Sequence, residues 1–221
     1  MKILFCGNCQ SSGLAIFLRR ALPSWEIHDL PHLATHYGEF TEEQISAEHE
    51  WADLVFFHHK HDGAQNYPTK SPKIPMSVWY QSAPFMAQIT PEMWLDYRNN
   101  GGTPEEAVHH DFNYTGRWAY CTQRMREKEV DEKVPTALRL SWLMDLGRKR
   151  QLQLTCNHPT SIVFLHWIDS ILDFLEVTKP CCKEWEEECI ANPNLAGLPC
   201  EESATSGARK ALGLSWGGRD I

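Results

Sequence analysis

The sequence predicts an α/β fold, a mostly parallel sheet flanked by helices. Two observations carry that expectation. Short apolar runs of strand length alternate with longer stretches of helical periodicity. The first such run (2–6, KILFC) also ends at Gly7 and leads directly into a helical pattern, a strand–turn–helix unit. At 221 residues the chain is long enough to bury a full core. It reads as a single α/β domain over 1–221, with a helical insertion at about 85–150 and a C-terminal tail at about 180–221.

The elements follow in order. A helix is expected over 11–22, where Leu14, Ile16, Phe17, Leu18 and Leu22 recur at helical spacing and Pro23 closes the run. An acidic amphipathic helix is expected over 41–50, then a buried strand at 53–58 (DLVFFH) and a third strand at 76–80 (MSVWY). Residues 91–110 read as two helical pieces broken by Asn99, Asn100, Gly101 and Gly102. The second piece opens with Thr103 as cap, Pro104 at the first position and Glu106 at the third. A long helical stretch covers 123–149 with a break near Pro135. Leu152, Leu154 and Cys156 then alternate with polar residues as in a strand, and 160–176 reads as a buried helix with Pro159 in its first turn. An acidic run at 184–188 reads as a solvated helix, and 192–207 as linker.

Composition narrows the function classes. With 21 Lys+Arg against 29 Asp+Glu the formal net charge is −8, which argues against a nucleic-acid partner, since duplex binding needs cations to neutralise phosphates. No run approaches the roughly 20 apolar residues of a membrane span. The opening MKILFCGNCQ is interrupted by Gly7 and Asn8 and lacks the features of a secretory leader. The expectation is a cytoplasmic protein whose eight cysteines are mostly reduced thiols. Cys181, Cys182, Cys189 and Cys200 lack zinc-ligand spacing among themselves and have no His at finger spacing, so no metal is expected there. Nine Trp and nine Phe point to an aromatic-rich core or pocket.

Open α/β sheets bind ligands outside the carboxyl ends of their strands. Two such ends carry reactive groups, Cys9 after the first strand and His158 after the last. Both stand where a helix begins, so unpaired N–H groups there would favour the ionised thiol, with His158 as its base if the strands are neighbours. The amides of Gln10 and Ser11, with the Asn8 side chain, form a candidate oxyanion site. The plainer alternatives are a small buried Cys9 and a His158 that only caps its helix. The run His58-His59-Lys60-His61-Asp62 has the composition of a metal site, but neighbours on a strand face opposite ways and at most His59 and His61 share a face, so a loop lining the pocket is the better reading. Trp79, Tyr80 and Gln81 either border the pocket or belong to the core.

Four blocks carry a resemblance. GNCQ (7–10) after an apolar strand, HHD (109–111), Arg126-Glu127 before a helix, and NHPT (157–160) opening a long helix resemble the WcbI-like polysaccharide biosynthesis acetyltransferase family in order and spacing over roughly 1–176. The segment 198–216 resembles that family's closing stretch. The resemblance implies a coenzyme A-binding protein that places acetyl groups on capsular sugars, with a fold related to SGNH-type esterases. In those esterases a Ser follows the first strand, and a His in a D-x-x-H block is the base. Cys9 stands at the Ser position and His158 at the His position, but the residue three before it is Thr155, not an acid. The orienting carboxylate then comes from elsewhere, with Asp111 the candidate and His110 beside it, and both a triad and a Cys–His dyad remain open.

On this reading Cys9, His158, Asp111 and His110 are catalytic, and Asn8, Gln10, Ser11 and Asn157 hold the oxyanion and substrate. Coenzyme A needs cations for its phosphates and an apolar slot for its arm. Arg117, Arg124 and Arg126 are the candidate cations, in a basic cluster with Lys128 and Arg139 that also contains Trp118, Tyr120 and Trp142. The alternative for these Arg is a solvated helix face, since Glu127, Glu129, Asp131 and Glu132 are interleaved. The implied partners are an acyl donor, acetyl-CoA, and a carbohydrate acceptor. The acetyl group passes through Cys9, or moves directly to a hydroxyl activated by His158. An SGNH-like carbohydrate esterase and a non-catalytic coenzyme A- or glycan-binding module are the rival readings.

Overall fold

In the computed structural model, residues 1–31, 40–58, 67–79, 114–150, 152, 158–178 and 183–197 are described. The chain divides into two compact units, Met1–Val78 with Glu127–Leu140 and Ser161–Leu198, and Trp79–Arg126 with Ser141–Thr160 and Pro199–Ile221.

The first unit is built on a parallel sheet of four strands, β1 (Lys2–Gly7), β2 (Glu26–Pro31), β3 (Leu54–His58) and β4 (Lys73–Met76), in the order β2-β1-β3-β4. The apolar runs of β1 and β3 are unbroken because helices cover both of their faces. On one face Phe5 stacks on Phe56 at 5.4 Å, beneath α1 (Cys9–Ala21) and α4 (Ser161–Phe174). Phe17 of α1 sits between Phe164 of α4 and Trp185 of α5 (Lys183–Ala191), at 5.4 and 5.7 Å. On the other face Leu4, Cys6, Leu30, Val55 and Phe57 pack with Ile45 of α2 (Glu42–Trp51). Each fully buried Leu or Phe contributes about 1.5–3 kcal/mol relative to exposure. The expected fold class is borne out, a parallel sheet with helices on both faces.

The local chemistry explains where elements begin and end. α1 starts at Cys9, two residues before the expected start, because the Asn8 side chain accepts from the Gln10 N–H at 2.9 Å. α2 opens with a reciprocal capping box between Thr41 and Gln44. Strand β2 has no counterpart among the expected elements. Its buried Ile27 and Leu30 are three apart, so the two-residue alternation of a strand is broken, and tertiary contacts hold it instead. Arg19 of α1 donates to the Ile27 carbonyl at 2.8 Å and pairs with Asp29 at 3.0 Å. β4 lies at Lys73–Met76 rather than 76–80, since its partner β3 ends where His58 pairs with Met76.

The helix expected over 160–176 is α4, with Pro159 two residues before its first helical residue rather than inside its first turn. The loop after α5 holds its start. Ser161 donates through N–H to the Pro193 carbonyl and through Oγ to the Asn192 carbonyl, both at 2.7 Å. At its other end Val177 N–H reaches the Leu172 carbonyl, with Glu176 left-handed at φ 55°. α3 (Tyr114–Asp131) replaces the first part of the long stretch expected over 123–149, and two 3₁₀ segments, Thr136–Leu138 and Ser141–Arg148, follow the break. The buried Glu129 carboxylate accepts from Ser77 Oγ at 2.5 Å and from Leu140 N–H at 2.6 Å. α5 is solvated on one side only, since Trp185 and Cys189 are buried. In the second unit Met125, Leu143, Met144 and Leu152 are buried, and Thr160 N–H donates to the Leu152 carbonyl at 2.9 Å. The helices expected over 91–110 and most of the strand expected at 152–156 lie outside the described residues. Among the described residues no helix is long and apolar enough to cross a membrane.

Candidate active site at the end of the first strand

From β1 the chain passes through α1 to β2 on one side, and α2 then brings it to β3 on the other. The strand order therefore reverses between β1 and β3, the point at which doubly wound sheets open a crevice for ligands. The residues at these two strand ends are Gly7, Asn8 and Cys9 on one side and His58 on the other.

Cys9 is the first residue of α1 and is half-buried, with a free thiol. Burial pushes this thiol up from its ordinary value, while the N–H groups of Cys9 and Gln10 pull it down without prevailing. The expectation of a thiolate favoured by the helix start is thereby corrected, because desolvation outweighs the N–H groups. The oxyanion expectation also changes in detail. Gln10 N–H donates to Asn8 Oδ1 at 2.9 Å, Ser11 N–H to the Asn8 carbonyl at 2.9 Å, and Ser11 Oγ to the same carbonyl at 2.7 Å. Capping thus engages the two amides assigned to a substrate oxygen. Gln10 and Ser11 are themselves buried. The Asn8 side-chain nitrogen, with its two N–H donors, and the Cys9 N–H are the remaining polar groups of this turn.

His58 is the last residue of β3, where the expected strand 53–58 also ends, and is 1% exposed. Its ring lies against Gly7. A Cβ on that glycine would stand 2.3 Å from His58 Nδ1. The signal for this was present in the sequence, a glycine at the end of one apolar run and a histidine at the end of the next.

A second thiol lies three residues before Cys9. Cys6 Sγ is 3.7 Å from His49 Nε2 in the buried layer between β1 and α2. Burial, with Lys73 second, pushes His49 down to about 4, so its ring is neutral at ordinary pH. Cys6 and Cys9 stand at C-x-x-C spacing. Here that spacing makes no disulfide. Three steps of extended chain separate the two Cα atoms by about 10 Å, against the 7 Å limit for a bridge.

The other expected site residues are distributed as follows. His158 is half-buried in the second unit, three residues before α4, and the Ser161 N–H that begins that helix is already engaged by Pro193. Arg124 and Arg126 are exposed on α3. Arg117 belongs to the same helix, but its side chain lies outside the described residues, as do His110, Asp111 and Asn157. Of the aromatic trio, Trp79 is buried, and Tyr80 and Gln81 are not among the described residues. No group of three or more His, Cys, Asp or Glu is placed to hold a metal ion among the described residues.

No family model matches the chain, and no curated protein matches it. A solved structure is similar to it, that of WcbI, described as a novel polysaccharide biosynthesis enzyme and as the native protein without a disulfide bond between coenzyme A and one of its cysteines. The likeness has a TM-score of 0.67 at 14% identity and covers 99% of this chain and 81% of that one. At that identity the likeness shows the fold, and the fold of this protein is WcbI-like.

Proposed function

We propose that this protein moves an acetyl group from acetyl-CoA to a sugar hydroxyl in polysaccharide biosynthesis. The observation that carries the reading is the half-buried Cys9 thiol at the strand-order reversal of a WcbI-like fold. The description of WcbI names coenzyme A together with one of its cysteines, in a form without a disulfide bond between them, and among the described thiols of this chain Cys9 stands at the strand-order reversal while Cys6 and Cys189 are buried. Acetyl-CoA enters as a substrate and supplies the activated acyl group.

The residues of this chain then divide the work. The raised Cys9 thiol needs a base, and His158 is the proposed one, oriented by Asp111 with His110 beside it. His158 takes the Sγ proton as the new S–C bond forms, and returns it to the departing coenzyme A sulfur as the old C–S bond breaks. In the second half His158 takes the proton of the sugar hydroxyl, whose oxygen bonds to the acetyl carbon while Cys9 Sγ leaves and regains a proton. The net change is one thioester and one alcohol to one ester and one thiol. A direct transfer, with His158 acting on the hydroxyl alone, has the same balance. Oxyanion donors on this reading are the Cys9 N–H and the side chains of Asn8 and Asn157, with Gln10 and Ser11 shaping the turn. Arg117, Arg124 and Arg126 are the proposed partners of the substrate phosphates, since a guanidinium group can pair with phosphate in bidentate geometry.

Incubation with acetyl-CoA, an acid quench and peptide mass spectrometry test the reading. One acetyl group on the peptide containing Cys9, together with O-acetylated product once a glycan acceptor is added, supports the covalent route. Product without that adduct supports direct transfer. Hydrolysis of an acetylated model ester with no transfer makes the protein an esterase. Thermal stabilisation by coenzyme A that persists in Cys9→Ala and His158→Ala, with no turnover of either substrate by the native protein, makes it a binding module.

A further inference from the structure

β1 and β3 pair in parallel through Cys6 and Phe57, so Gly7 and His58 are the next residues at the same level of the sheet. The imidazole fills the space that a side chain at position 7 would take. A Cβ there would lie 2.3 Å from Nδ1, 2.8 Å from Cγ and 3.1 Å from Cε1 of His58. Real Cβ atoms do not approach a ring atom this closely, so the glycine is required by the ring and not by a turn. The ring cannot retreat easily. It is 1% exposed, and Trp167 of α4 faces it with centroids 5.9 Å apart. Two residues after Gly7 stands Cys9, and between them Asn8 is pinned by its cap on α1. A displacement of Gly7 is therefore passed along a short, held stretch of backbone to the thiol.

We propose that His58 is a positioning residue for the candidate active site: its ring, wedged between Gly7 and Trp167, sets where β1 ends and hence where Cys9 Sγ lies relative to the N–H groups of Cys9 and Gln10. The inference rests on Cys9 being the reactive thiol, but its test reads thiol chemistry alone, so it stands or falls separately from acetyl transfer. His58 acts here through shape, and His58→Phe, which keeps a ring without nitrogens, is the conservative replacement.

The experiment uses the full chain and iodoacetamide, with modification of the Cys9 peptide followed by mass spectrometry from pH 7 to 10.5. Circular dichroism and the melting temperature accompany each variant. Gly7→Ala pushes against the ring and is expected to slow Cys9 alkylation at pH 8 about tenfold and to raise the midpoint of its pH profile. His58→Ala frees the turn and slows alkylation by roughly threefold or more. The double variant Gly7→Ala/His58→Ala recovers most of the rate lost by Gly7→Ala, because the new methyl group enters the space the ring has left. His58→Phe stays within about twofold of the native protein with an unchanged midpoint. Should Gly7→Ala not fold, the His58→Ala and His58→Phe pair decides. Equal rates and midpoints in the native protein and His58→Ala overturn the proposal, and so does a His58→Phe protein as impaired as His58→Ala.

Discussion

Cys6 and Cys9 are three residues apart and belong to different chemical worlds. Cys6 points into the layer between β1 and α2, is 1% exposed, and has an imidazole, His49, 3.7 Å from its sulfur. Cys9 has passed the end of the strand, is half-buried, and has the N–H groups of Cys9 and Gln10 beside it. If a nearby histidine were enough to make a thiol reactive, Cys6 would be the nucleophile. The same burial that places His49 there holds the ring neutral, and apolar side chains of both faces of that layer close over the sulfur. Access decides instead. A strand's last residues are where the sheet stops covering its own side chains, and the reversal of strand order at β1 and β3 leaves that edge without a crossing connection.

The largest expected effect follows from this contrast. On the proposed function, Cys9→Ala is expected to lower acetyl transfer at least about 100-fold, the scale on which a nucleophile or a group bounding the oxyanion site is felt. Cys6→Ala leaves kcat within about threefold and lowers unfolding free energy by roughly 1 kcal/mol through the lost sulfur contacts. Activity and urea titrations on the two variants break the comparison if the losses fall the other way round. Alkylation of the native protein sharpens it, with Cys9 modified first. Cys189, pushed up to about 12 by burial and next by Glu188, carries about 1,000-fold less thiolate than a thiol at its ordinary value of 9.0 and is expected to label only on unfolding.

The Cys6 side of the comparison has its own pH signature. His49 falls from 6.5 to about 4 on folding, so between those values the unfolded chain binds the proton and the folded chain does not. Stability then rises with pH across that window. It is fully present above 6.5 and is lost as pH falls toward 4, with a magnitude of about 3 kcal/mol from the size of the shift. His49→Leu removes this group from the balance. The difference in unfolding free energy between the native protein and the variant, measured by urea titration from pH 7.5 to 4, should shrink by a few kcal/mol as the pH falls. A difference that does not change with pH would mean that His49 is not buried in the neutral form.

Much of the fold was legible because the strongest signals are local. The run 2–6 followed by Gly7, the run at 53–58, and the apolar stripe of α4 all state their burial in consecutive residues. β2 was illegible for the opposite reason, since Ile27 and Leu30 are out of step with strand alternation and Arg19 from α1 supplies what the pattern lacks. Cys9 was legible as the residue between a strand and a helix. Its titration was not, because the direction depends on how much desolvation outweighs the N–H groups, and no spacing encodes that balance. His58 illustrates a further limit. In the sequence it belongs to the polar run His58–Asp62, which reads as a pocket-lining loop, while the partner that matters, Gly7, has no side chain to advertise the contact.

The smallest effects arise at Asn8, the residue that separates the two thiols. Its Oδ1 holds the Gln10 N–H, so Asn8→Ala removes a cap and is expected to lower stability by about 1 kcal/mol, measured by urea titration. Asn8→Asp keeps an acceptor at the same place and adds negative charge at the positive end of α1, so stability is held or rises by about 0.3–1 kcal/mol. The same charge, one residue before Cys9 and bonded to the Gln10 N–H that favours the thiolate, opposes ionisation of the thiol, so iodoacetamide is expected to label Cys9 several-fold more slowly at pH 8, with the midpoint of the pH profile raised. Cys6, on the other face of β1, keeps its native slow rate. A variant that is at least as stable yet less reactive at one thiol separates the two roles of Asn8, since a loosened helix start would lower stability and reactivity together.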